Sequence, residues 1–300
     1  MPVNKYTTSA LSFLLGIAVI QSAQAGMDTN RIAQIIGLPG SWNASEGVFK
    51  ITAARTDQPV TVDGWKMPPF MGLASWAAFT PAMGGNLMVM GDTVLFQDEV
   101  NPAMSAALDN GLAVTALHNH FFFDEPKVYF MHISGEGSSE TLAAAVKKVW
   151  DKIKEVRAAN PKPVATFGDA LLPSTNSITG KTIETLLGAT GQANNGMFKV
   201  VIGRPAKMSG MDIGKEMGVN TWAAFAGSDD NAVVDGDFAV HENELQGVLK
   251  TLRKGGINIV AIHSHMTDET PRTLFLHYWG RGKAAALAKS LKAALDIQRQ

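Results

Sequence analysis

The sequence predicts an α+β protein: two tandem copies of a β-α-β-β-α-containing domain with antiparallel sheets. The first observation behind this is a repeated histidine pattern. His118-Asn119-His120 is followed twelve residues on by His132, and His263-Ser264-His265 is followed twelve residues on by His277. The spacing H-x-H-x11-H thus occurs twice and uses six of the seven histidines. The second observation is that the offset of 145 residues between the triplets carries other matches: Glu99 with Glu244, Gly91-Asp92 with Gly236-Asp237, Phe130 with Phe275, and Lys147 with Lys292. With a small change of offset, Trp76-Ala77-Ala78-Phe79 matches Trp222-Ala223-Ala224-Phe225. The third is the order of apolar patterns inside each copy, which runs strand, helix, strand, strand, helix. A period this long is a domain duplication; solenoid units run to about 20–50 residues.

In chain order, residues 1–25 read as a signal peptide. Lys5 gives a weakly basic start, residues 11–20 are apolar, and Ala23-Gln24-Ala25 is a small-x-small cleavage site. The apolar run is too short to span a bilayer comfortably, so no membrane span is expected after cleavage and the product is periplasmic or secreted. Residues 26–158 form repeat domain 1, residues 159–177 a linker interrupted by Asn160-Pro161-Lys162-Pro163, and residues 178–300 repeat domain 2. Each copy opens with a short helix, near residues 30–36 and 181–187. Strands follow around Phe49 and Phe198, over the Trp-Ala-Ala-Phe segments, and over residues 86–96 and 232–240. A helix over 102–109 or 244–254 ends at a glycine. A strand over 112–118, a loop containing proline, a strand over 128–134 and a long amphipathic helix complete the first copy. Trp76 and Trp222 are expected in the cores.

Composition excludes several classes. The chain has no cysteine, so neither disulfides nor thiolate ligands are available, and its core must stabilise it alone. A net charge of −1 with no basic block argues against nucleic acid. The remaining partners are a small molecule or an envelope component, which the sequence does not identify.

Imidazole is the commonest neutral metal ligand near neutral pH. Residues i and i+2 of a strand point to one face, so His118 and His120 project together. A hairpin centred on Glu125 sets His118 opposite His132, and one centred on Thr270 sets His263 opposite His277. Three imidazoles on one face make a facial triad with an open position, as a catalytic or exchangeable site requires. His118, His120, His132, His263, His265 and His277 are therefore the expected ligands of a divalent transition metal, zinc first and copper second. Glu99 and Glu244, nineteen residues before each triplet, are the candidate fourth ligand or general base; Asp124 and Glu269 in the hairpin loops are further acidic candidates. Met67/Met71, Met88/Met90 and Met208/Met211 are the methionine pairs that bear on copper. The expected function is an exported metal-binding protein, conceivable as a metal-dependent hydrolase. The alternatives are a non-enzymatic envelope or ligand-binding module with structural histidines, and a copper-handling protein. Copy two is the stronger candidate for chemistry: the polar Met266-Thr267-Asp268-Glu269-Thr270 follows its second histidine, where copy one has Phe121-Phe122-Phe123.

The segments Leu117-His118-Asn119-His120-Phe121-Phe122 with Phe130-Met131-His132, and Ala261-Ile262-His263-Ser264-His265 with Phe275-Leu276-His277, resemble the LppY/LpqO family over essentially the whole mature chain. The resemblance implies an exported bacterial protein with a duplicated domain of no assigned function, so it supplies no reaction. Named members are lipoproteins. This chain lacks the lipidation cysteine, which implies a soluble exported form. His263-Ser264-His265 is also similar to the zinc isopeptidase motif of the JAMM type, but Met266 stands where that motif needs proline, and the match fails.

Overall fold

A computed structural model describes residues 27–167, 171–194 and 196–298. The signal peptide expected over residues 1–25 lies outside them. The first copy runs α1 (Thr29–Ile36), β1 (Gly40–Asn43), β2 (Val48–Ala54), β3 (Thr61–Val62), β4 (Trp65–Lys66), β5 (Ala74–Pro81), β6 (Leu87–Phe96), α2 (Gln97–Asp109), β7 (Ala113–His118), β8 (Asp124–Glu125), β9 (Val128–Gly137) and α3 (Ser139–Ala159). The second runs α4 (Gly180–Leu187), β10 (Gly191–Asn194), β11 (Met197–Gly203), β12 (Ala206–Met208), β13 (Met211–Ile213), β14 (Asn220–Gly227), β15 (Ala232–His241), α5 (Leu245–Lys254), β16 (Asn258–His263), β17 (Glu269–Thr270), β18 (Thr273–Gly282) and α6 (Ala284–Ile297). The protein is thus mixed helix and sheet, with six α-helices among the described residues.

Local chemistry sets the ends of these helices. Asp28 accepts the Arg31 N–H at the start of α1, and Gly37 closes it in the left-handed conformation at φ 81°. Ser138 caps α3 by accepting the Thr141 N–H. Helix α2 starts a turn before the expected Pro102, because Glu99 Oε2 accepts the Phe96 N–H at 2.8 Å.

The two copies do not fold as separate sheets. Their strands form one twelve-stranded sheet in the order β1-β2-β5-β6-β9-β7-β16-β18-β15-β14-β11-β10, antiparallel at every pairing. The copies meet at the centre, where Leu117 of β7 pairs with Ile262 of β16. Two side-chain amides lock that seam. Asn101 of α2 brackets the Ile259 backbone, donating to its carbonyl at 3.1 Å and accepting its N–H at 2.8 Å. Gln246 of α5 brackets Val114 in the same way, with both bonds at 2.9 Å. Asn101 and Gln246 are themselves 145 residues apart, so each copy clasps the other through the same position.

All six helices pack on one face of the sheet, in a single core that takes Leu117, Met131, Ile133, Ile262, Leu276 and Tyr278 from the central strands. The other face carries the histidines. The segments of the small sheets β4-β3-β8 and β13-β12-β17 pack against it in two minor cores, one with Val94, Phe96, Val128 and Phe130 and one with Ala239 and Phe275. Trp76 and Trp222 lie on this second face, half-buried under Lys50 and Lys199 at 4.4 and 4.1 Å, and not in the helix-side core where they were expected. They pair directly with Asp92 and Asp237, which fixes their side of the pleat.

Candidate metal centre

The central hairpins are shifted from the expected register. His118 pairs with Phe130 and His132 with Ala116, while His263 pairs with Phe275 and His277 with Ala261. Each hairpin is therefore centred one residue earlier, on Asp124 and Glu269. Those two acids explain the shift. Buried Asp124 accepts the Val128 N–H at 2.7 Å and Lys127 Nζ at 3.1 Å. Buried Glu269 accepts the Thr273 N–H at 3.2 Å and Arg272 Nη1 at 3.0 Å. Through these bonds both acids brace the turns. A slip of two residues between partners keeps every side chain on its original face, whereas a slip of one reverses it. The histidines consequently still share one face.

Both triplets are built alike. The His118 ring lies 5.1 Å from His120 and 5.1 Å from His132, centre to centre. The His263 ring lies 5.0 Å from His265 and 4.8 Å from His277. In each copy a fully buried phenylalanine forms a shelf for the second histidine: His120 stacks on Phe130 at 3.3 Å, and His265 on Phe275 at 3.5 Å. Arg272 further ties the second loop by donating to Ser264 Oγ at 3.2 Å.

The structure adds an acid that sequence reasoning missed. Asp237 of β15 pairs with His277, and Asp92 of β6 pairs with His132. Asp237 is 3% exposed; its Oδ2 lies 3.1 Å from His265 Nε2, which in turn lies 3.1 Å from His263 Nε2. Asp237, His263 and His265 are the group among the described residues whose ligand atoms all fall within 4.8 Å of one another. One carboxylate and two imidazoles is a donor set suited to a divalent transition ion. Oδ1 of both Asp237 and Asp92 is buried with no hydrogen-bond partner among the described residues, and a buried carboxylate in that condition is costly without a cation. The signal available in the sequence was the repeated Gly-Asp pair itself. Gly236 is needed because a Cβ there would meet Tyr278 Oη at 2.1 Å and Trp222 O at 2.3 Å; the aspartate beside it carries the chemistry. Burial holds the His120 and His263 imidazoles below the usual histidine range, with neighbouring histidines adding to the effect. The neutral, ligating form is thereby favoured.

Glu99 and Glu244 sit elsewhere. Glu99 is fully buried and ion-paired to Arg55 Nη1 at 2.7 Å and to Arg157 Nε at 2.7 Å. Glu244 takes both guanidinium nitrogens of Arg204, at 2.6 and 2.8 Å, and accepts the His241 N–H at 3.0 Å. In both copies arginine donors occupy the carboxylate oxygens, away from the histidines. His241, which has no partner in copy one, belongs to the same network through Arg204 Nη2 at 2.8 Å.

No helix among the described residues is long and apolar enough to cross a membrane. Comparison with curated proteins and with solved structures found no match. A family model does match, twice, over residues 30–152 and 181–297. Those bounds enclose both histidine triplets and both aspartates, and the chain belongs to the family described as Domain of Unknown Function (DUF1259), here in an internally duplicated form.

Proposed function

We propose that this is an exported protein that binds a divalent transition metal, zinc first, and uses it in copy two for hydrolysis of a small molecule or envelope component. The observation that carries the reading is the convergence of buried Asp237 with His263 and His265. Asp237 would supply the charge that two neutral imidazoles lack. His277, stacked on His263 at 4.8 Å, stands ready as a further donor. A bound ion supplies Lewis acidity to a coordinated oxygen. The chain's own part is to fix the donors on a rigid sheet. The Phe275 shelf orients His265, and the neighbouring strand orients Asp237. An open cleft of about 540 Å³ beside His277, lined by Asp235, Val260, Trp279 and residues 165–167, gives a substrate room to approach.

Copper is the second reading, favoured by Met88 and Met90. Both are exposed on the same face as Asp92, four and two residues before it in β6. Within its family we place the chain with the LppY/LpqO proteins on the two His-x-His hairpins, and we read it as exported through cleavage after Ala25. Metal analysis of protein purified without a histidine tag tests the reading: zinc is expected, and copper would select the second. Metal-free protein that takes up neither ion would refute both. An intact mass that retains residues 1–25 on extracytoplasmic material would refute cleavage after Ala25.

A further inference from the structure

The paired registers place the aspartate and histidines of both copies in one strip across the seam. From β6 to β16 the aligned residues are Asp92, His132, Ala116 and then, one step from the Leu117–Ile262 pair, His263. From β15 to β7 they are Asp237, His277, Ala261 and His118. Each copy's first histidine thus extends into the row begun by the other copy's aspartate. His118 and His263 are diagonal neighbours on adjacent strands, a relationship that sets residues about 7–8 Å apart on one face. Between the groups the floor is only the methyls of Ala116 and Ala261, and these residues and His118, His132, His263 and His277 are all partly exposed. The amide clasps of Asn101 and Gln246 hold the two strands that form this floor, so the spacing is rigid.

We propose that the two Asp/His groups form one composite cleft that holds two divalent ions and binds a ligand with two metal-coordinating oxyanion ends, one taken by each ion. This rests on the metal-binding reading above. The unpartnered, buried Oδ1 of Asp92 repeats that of Asp237 and extends the cation reading to copy one, while the tight convergence of ligand atoms is found in copy two. Two ions on opposite sides of the alanine floor are too far apart to share one oxygen, which needs roughly 3.5–4 Å. They are close enough to share one extended ligand. Binding at the second end then becomes intramolecular, and affinity rises without any new contact type.

The experiment uses the full mature chain without a tag. Titrated with Cu²⁺, which histidine sites bind strongly, it should take up about two equivalents whose electron spins couple at a separation on the order of 10 Å. Two equivalents without coupling, or coupling at more than about 20 Å, would overturn the composite cleft and leave metal binding intact. A single equivalent would overturn it likewise, while no uptake would sink the metal reading itself. On zinc-loaded protein, calorimetry with acetate, succinate and suberate should show suberate binding at least about tenfold tighter than acetate. The isosteric Asp92→Asn should erase that gain while copy two keeps its ion. Equal affinity for acetate and suberate in the wild type would refute the bridging ligand.

Discussion

Asp237 Oδ2 lies 3.1 Å from His265 Nε2, so that β15 meets the loop that follows β16 across the strand β18 that separates them in the sheet. If this contact marks a metal centre, Asp237→Asn should weaken metal binding in copy two by more than the roughly 10–100-fold that loss of an outer-sphere partner costs. Isothermal titration on folded, tag-free protein measures it. Unchanged affinity would remove Asp237 from the site.

Glu99 is expected to matter for folding and not for metal. Glu99→Ala leaves Arg55 and Arg157 with only Asp57 and Asp98 as acidic partners, a change that costs about 1–3 kcal/mol. Denaturant unfolding reads the loss. The metal stoichiometry per folded molecule should stay at the wild-type value; its disappearance in folded protein would restore Glu99 as a ligand.

Acid stability should depend on Glu244. Burial pushes its carboxyl up, but the hydrogen bonds from Arg204 and the His241 N–H outweigh this and hold it below its ordinary value of 4.5. Between the folded and unfolded values the unfolded chain carries the extra proton, so stability rises with pH across that window. The contribution is complete above pH 4.5 and is lost as pH falls through the folded value. Arg204→Met should flatten this acid limb in unfolding curves. An unaltered limb would show that the pair contributes nothing.

The seam should behave as one coupled unit. Asn101→Ala and Gln246→Ala each leave a buried strand backbone unpaired, at a cost of about 1–3 kcal/mol. Unfolding of either variant should remain a single transition in both copies. Separate transitions for the two copies would contradict a shared sheet.

Gly236→Ala should destabilise by about 1–3 kcal/mol or more, since the new methyl meets Tyr278 Oη and a backbone carbonyl of the neighbouring strand. Thermal unfolding would check it. A neutral result would show that β14 and β18 shift aside freely.

Much of this is legible in the sequence alone. The duplication, the helix and strand order and the six histidines on one face follow from local rules: the strand's period of two survives a register slip of two residues, so the face of His118 and His132 was safe even though their pairing was not. Asp92 and Asp237 were visible only as matched letters beside a glycine. Glu99 and Glu244 looked equally suitable as ligands until Arg55, Arg157 and Arg204 were found on them.

Periodicity and repetition along the chain therefore determined that the six histidines share one face. Which of them meet was decided by tertiary structure. Asp237 reaches His265 because β18 brings β15 beside the hairpin of β16, and His118 enters the row of His277 through the pairing of β7 with β16, about 145 residues away in sequence. Such pairings depend on turn braces, strand bulges and helix clasps acting together, and no local stretch of sequence contains all of them.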